Sequence, residues 1–142
     1  MAMVFEDLEA WKDARKVVRN VYDLTKSEGL SRDYGLKDQI QRSAVSMMTN
    51  VAEGFERIGT QEKLNFYNIA RASAGETRSL LYVIEDNYPD LAGSWKELRI
   101  STNAVGRKIT GLITSFRKRQ AFTTLSTVAI IATLGLTFHL IF

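Results

Sequence analysis

The chain has 142 residues, 45% of them hydrophobic, a net charge of +3 and no cysteine. That is one domain's worth of chain with apolar material for a real core, and it excludes disulfides, thiolate metal sites and cysteine nucleophiles. The first residues, MAMVFEDLEAWKD, are acidic and hold no long apolar run, so no secretory signal is expected.

Apolar residues then recur at helical spacing almost throughout. The first stripe is Leu8, Trp11, Ala14, Val18, Val21 and Thr25, ending near Gly29. The second is Leu36, Ile40, Ala44, Met47, Val51 and Phe55, broken at 57-RIGT-60. Thr60 is the expected N-cap of a third helix reaching Asn87, with Phe66, Ile69, Ser73, Leu80, Ile84 and Tyr88 on its inner face. Pro89, the only proline, closes it, because proline cannot continue the hydrogen-bond ladder. Ser94 is the expected N-cap of the fourth, whose stripe is Trp95, Leu98, Thr102, Val105, Ile109, Leu112 and Phe116. No strand-like alternation intervenes. Long amphipathic helices on short connections predict an all-α, up-down-up-down four-helix bundle over residues 1–120. The small residues of 70-ARASAGE-76 predict close backbone packing in helix three, where Gly75 would otherwise cost about 1 kcal/mol relative to alanine, with a ligand site as the alternative reading.

Helix two carries a second, polar stripe beside the apolar one: Gln39, Arg42, Ser46, Asn50, Glu53 and Arg57, at steps of three and four. A half-buried charge needs a partner. Glu76 on helix three, with Arg42 or Arg57, is the expected one, in an ion-pair network that sets helix register.

The segment 35-GLKDQIQRSAVSMMTNVAEGFER-57 resembles the signature of the four-helix-bundle proteins encoded in 23S rRNA intervening sequences. The blocks 5-FEDLEAWKDARKVVRNVYDLT-25 and 69-IARASAGETRSLLYVIED-86 resemble the same family, so the likeness covers roughly residues 5–118 in order. Arg42, Ser46, Asn50, Glu53 and Gly54 match the family's RxAxSxxxNxAEG positions, and Glu76 its acidic position in helix three. The resemblance attaches no catalytic role to them. It implies a bundle that assembles as a ring-like homopentamer. Relatives that accompany the reverse transcriptases of diversity-generating retroelements look like accessory subunits that bind the enzyme and nucleic acid through a basic surface.

Charge is placed unevenly. Residues 1–97 hold 13 basic and 16 acidic side chains, whereas residues 98–142 hold six basic and no acidic ones. Arg99, Arg107 and Lys108 on helix four therefore predict a face for nucleic acid or another anionic partner, against the plainer reading of a solvated helix face.

Members of this family usually end with helix four. This chain adds residues 121–142, which contain no Asp, Glu, Lys or Arg, after the cluster Arg117, Lys118 and Arg119. A helix of that length is about 33 Å long, close to the hydrocarbon thickness of about 30 Å. The basic flank predicts a membrane-spanning helix with the bundle on the cytoplasmic side of a bacterial membrane. Thr123, Ser126, Thr127, Thr133 and Thr137 fall within an arc of about 120°, a hydroxyl stripe that suits self-bonding, helix packing or a pore lining. His139, the only histidine, is expected near the far face.

No phosphate loop, paired ExxH or nucleophile elbow is present, so no enzyme, metal, cofactor or small-molecule substrate is expected. Three function classes fit: a membrane-tethered oligomeric scaffold or adaptor, a pore-forming effector built from gathered tails, and a soluble accessory subunit of a reverse-transcriptase-like complex whose tail is covered by protein.

Overall fold

A computed structural model describes residues 4–139, with the side chains of Ala92 and of residues 128–139 outside that description. Four helices account for most of it: α1 (Glu9–Leu24), α2 (Tyr34–Glu56), α3 (Thr60–Asn87) and α4 (Ala92–His139). Short 3-10 turns stand at Phe5–Asp7, Leu30–Arg32 and Pro89–Leu91. Each helix packs on its neighbour in sequence, and α4 closes back on α1. Among the described residues there is no strand.

The core runs along the bundle axis through Val17, Val21, Ile40, Met47, Val51, Leu81, Ile84, Val105 and Ile109, each at most 1% exposed. Burying each such aliphatic side chain stabilises the fold by roughly 1.5–3 kcal/mol. Two inner faces keep most of the expected residues (Leu8, Ala14, Val21 and Thr25 in the first stripe, Ser73, Leu80 and Ile84 in the third) and depart from them in part. In α1 the buried set is Ala10, Ala14, Val17, Val21 and Leu24, while Trp11 and Val18 lie at the margin. In α3 the first turns bury Leu64, Tyr67 and Ala70, and Ile69 is 47% exposed. The reason is at Gly54 of α2. It leaves room for the Tyr67 ring, whose Cε1 would stand 2.6 Å from a Cβ at position 54. The large ring enters there, so the first turns of α3 bury Tyr67 and leave Ile69 outside, while Ser73, Leu80 and Ile84 stay inside as expected.

The helix ends also differ from expectation. α1 stops at Leu24, and the chain turns through Gly29, whose φ of +83° is the left-handed conformation glycine adopts without strain. Thr60 and Ser94 lie inside their helices and cap neither. The side-chain cap belongs to Asp33, which accepts the Leu36 N–H at 3.1 Å and the Tyr88 hydroxyl at 3.0 Å. One carboxylate thus ties the start of α2 to the end of α3.

α4 has 48 residues, about 72 Å of helix, against 16 to 28 for the others. Its last side chains packed on the core are Ile113 and Phe116, and it then continues without a break beyond the bundle. Among the described residues no helix is long and apolar enough to cross a membrane. In the predicted span at 121–142, residues 140–142 and the side chains of 128–139 lie outside the described set. Within it, Phe122 and Leu125 are described, and they are 73% and 70% exposed.

Candidate nucleic-acid interface

The polar edge of α2 does not form the expected ion-pair network. Arg42 reaches back to Asp38 at 3.1 Å and Arg57 to Glu53 at 3.5 Å, each one turn away on or just beyond the same helix. All four side chains are largely exposed. Glu76 is exposed and pairs with neither arginine. The Arg57 guanidinium instead lies 4.6 Å from the Phe66 ring centroid. Water is open to these charges, so no buried partner is required.

The polar groups that do cross between α2 and α3 are hydroxyls. Ser43 and Thr77 are buried, with their oxygens 2.9 Å apart, and Ser46 meets Ser73 at 2.9 Å. Asn50 donates to the Ser46 carbonyl at 2.8 Å and to its hydroxyl at 3.2 Å. With Gly54 against Tyr67, this seam of small side chains lets the two backbones run close. Ser46, Asn50 and Gly54 of the expected group therefore act in packing, whereas Arg42, Glu53 and Glu76 lie on the surface.

The three basic residues of α4 do not act as one group. Arg99 pairs with Glu85 and stacks on two rings, with its Cζ 4.4 Å from the Tyr82 centroid and 5.2 Å from that of Trp95. Lys108 turns to the other flank and bonds Asp13 of α1 at 2.6 Å. Together with Lys16 it holds the Asp13 carboxyl below its ordinary value of 3.8. Arg107 faces α3 and joins two arginines that the sequence reading passed over, Arg71 and Arg78.

These three arginines border a depression of about 280 Å³ between α3 and α4. Its floor is low because Gly75 and Gly106 lack side chains; a Cβ at Gly75 would meet nothing within 4 Å. Arg78 donates to the Asn103 side-chain oxygen at 2.8 Å across the groove. Among the described residues no carboxylate stands within ion-pairing distance of Arg71, Arg78 or Arg107. The signal for this group was available. Arg71, Gly75, Arg78 and Tyr82 recur at steps of four, three and four, which places them on one face of α3.

Arg117, Lys118 and Arg119 are exposed just past the end of the core. In the tail, the Thr123 hydroxyl donates to the Arg119 carbonyl at 3.0 Å and Thr127 to the Thr123 carbonyl at 2.9 Å. Ser126 is half-buried. Thr133, Thr137 and His139 have side chains outside the described set. Among the described residues no group of His, Asp or Glu is placed to hold a metal ion.

The model of the 23S rRNA-intervening sequence protein family matches residues 6–111. A crystal structure of a protein of unknown function from the S23 ribosomal protein family of Bacteroides thetaiotaomicron superposes with a TM-score of 0.67. The two are 17% identical, and the match covers 73% of this chain and 97% of that one, so the likeness is one of fold. No curated protein matches the chain.

Proposed function

The chain belongs to the 23S rRNA-intervening sequence protein family, and from that premise we propose that it is a non-enzymatic, ring-forming scaffold. Its apolar C-terminal helix tethers it to the bacterial cytoplasmic membrane, with the bundle in the cytoplasm and a basic side for nucleic acid. The observation that carries this reading is the unbroken course of α4, from core residues through Arg117–Arg119 to the bare side chains of Phe122 and Leu125. Apolar residues on a helix that has left its bundle need a cover, and lipid fits a length of about 22 residues without formal charge. The basic triplet suits the cytoplasmic headgroup layer. The helix runs on past Phe116 without a turn that would fold Phe122 and Leu125 back onto the bundle.

The pore-forming alternative draws less support. Thr123 and Thr127 spend their hydroxyl protons on their own helix, which suits a lipid-facing or packed helix as well as an aqueous lining. The soluble accessory-subunit reading requires a protein cover for Phe122 and Leu125. A non-enzymatic role is supported by a sequence with no cysteine and a single histidine at position 139.

Fractionation tests the proposal. Full-length protein should sediment with membranes and resist carbonate, and a chain ending at Gln120 should be soluble and still oligomeric at micromolar concentration. Ile131→Asp should impair insertion, since an acidic residue at mid-span costs on the order of 3 kcal/mol. A full-length chain that forms a discrete oligomer without detergent would place the tail in a protein core. Leakage of dye from liposomes would favour the pore.

A further inference from the structure

We infer that the α3–α4 groove is a track for single-stranded nucleic acid, in which Arg71, Arg78 and Arg107 hold phosphates and Tyr82 offers its ring to a base. The inference rests on the reading of the bundle as a scaffold for an anionic partner, and it names the site and the chemistry.

Two antiparallel stripes build the track. Arg71, Gly75, Arg78 and Tyr82 on α3 face Arg99, Asn103, Gly106 and Thr110 on α4. The register is set by Tyr82 against Arg99, by Arg78 bonded to Asn103, and by Gly106 beside Ala74, where a Cβ would stand 3.8 Å from that of the alanine. The glycines keep the floor low, so a ligand backbone approaches closely.

The arginines are spread along the groove and do not converge. Arg71 and Arg78 are seven residues apart on α3, about 10 Å along the axis. One phosphate cannot engage both, whereas a chain of phosphates can. Guanidiniums present paired N–H donors that match phosphate oxygens. Arg107 comes from the opposite wall, so the anionic chain would run between two helices.

Tyr82 is 51% exposed, and Arg99 lies over its ring, held there by Glu85. Arg99 is thus a positioning residue with its charge already matched, and the open part of the Tyr82 ring is a stacking surface. An exposed aromatic at the end of a row of unpaired arginines is the arrangement that binds unpaired bases. A duplex keeps its bases stacked inside and offers none to a lone ring. Phosphate contact and ring stacking do not depend on the sugar, so RNA and DNA strands share the chemistry.

Lipid headgroups are a poorer match. The groove ends at Thr110, seven residues and about 10 Å of helix before Arg117. A headgroup layer is about 6 Å deep on each side of the hydrocarbon, so with the tail inserted the groove stands clear of it. A second concave basic surface among the described residues, on α1 around Trp11, Arg15 and Arg19, is partly neutralised, since Lys12 and Lys16 beside them pair with Glu9 and Asp13.

The test uses the full chain in neutral detergent and fluorescent oligonucleotides of about 12 nucleotides, U-only RNA and T-only DNA, with a mixed-sequence duplex for comparison. Both single strands should bind within a few-fold of each other and more tightly than the duplex. Arg71→Gln combined with Arg107→Gln should weaken binding by about tenfold or more, and flatten the salt slope by about 1.4, at about 0.7 per lost phosphate contact. Tyr82→Ala should weaken it about tenfold with the slope unchanged, because stacking releases no counterions. Lys26→Gln, which removes a charge paired with Asp23 away from the groove, should change little. All these side chains are exposed, and unchanged thermal melting would show that the fold is kept. If the wild type binds no strand, the polyanion-scaffold reading fails along with the groove. If it binds but the groove variants match it, or the duplex or free inorganic phosphate competes equally well, the groove assignment alone is overturned. A strong preference for RNA over DNA would equally overturn it in this form.

Discussion

The ring of Tyr67 lies directly on Gly54, so close that a Cβ at position 54 would stand 2.6 Å from its Cε1 and 2.8 Å from its Cδ1. Tyr67 is 1% exposed and its other side meets Phe116, with ring centroids 5.8 Å apart. Three helices therefore meet at one aromatic side chain that has no room to move.

Gly54→Ala should consequently destabilise the bundle by about 1–3 kcal/mol, the usual cost of overpacking a filled core. Alanine favours helix over glycine by about 1 kcal/mol, so the loss would show that sterics win. Denaturant melts would measure it. Tyr67→Leu in the Gly54→Ala background should recover part of the loss; no recovery would mean that the clash lies elsewhere.

Thr77→Val should cost about 0.5–1.5 kcal/mol, because it removes one of the two hydrogen bonds of the buried Ser43 hydroxyl, which keeps its bond to the Ile40 carbonyl, while preserving the shape. Glu53→Ala should stay within about 0.5 kcal/mol, since that carboxylate is half exposed and its contact with Arg57 is long. The same melts rank the two. A large loss at Glu53 with none at Thr77 would restore the ion-pair network that the geometry denies, or place Glu53 in a subunit contact.

Burial pushes the Tyr67 hydroxyl up to about 12 from an ordinary value of 10.0. Its proton is held more tightly in the folded chain than in the unfolded one. The linked stability is fully present below pH 10 and is lost as pH rises from 10 through 12, at up to about 1.4 kcal/mol per pH unit. Tyr67→Phe should remove that part of the alkaline loss, and stability measured from pH 9 to 11 would detect it. An identical alkaline profile in the variant would mean the phenol is open to water.

Asp13 provides the acid-side counterpart. Hydrogen bonds from Lys108 and Lys16 lower its pKa below 3.8. A depressed carboxylate contributes stability above its unfolded value and loses it as pH falls through the folded one. Asp13→Asn should therefore weaken the protein modestly, by less than about 1 kcal/mol, at neutral pH. The two chains should converge at acid pH well below 3.8, where the carboxyl is protonated in both folded and unfolded states. A gap that persists at low pH would point to packing as its cause.

Much of this architecture is a consequence of local pattern. The stripes at three- and four-residue steps, Pro89, and the lack of alternation determine four helices and their order, because burial of one face per helix follows from period alone. The motif from Arg42 to Gly54 likewise identifies the family before any contact is known. Rotation of those helices is another matter. Trp11 against Ala10, or Ile69 against Ala70, are neighbours a hundred degrees apart, and the choice between them depends on the shape opposite. The Tyr67 ring settled against Gly54 and set the face of the first turns of α3; the two residues lie on different helices, so no single helical period relates them.

Charge divided in the same way. The excess of basic residues after position 98 was legible, and so was the apolar run after position 120. Which cations remain unmatched was not, because pairing joins residues far apart in the chain. Lys108 and Asp13 are 95 positions apart, and Arg78 reaches Asn103 across 25. Only the packing of α4 between α1 and α3 neutralised Lys108 and Arg99 and left Arg107 beside Arg71 and Arg78.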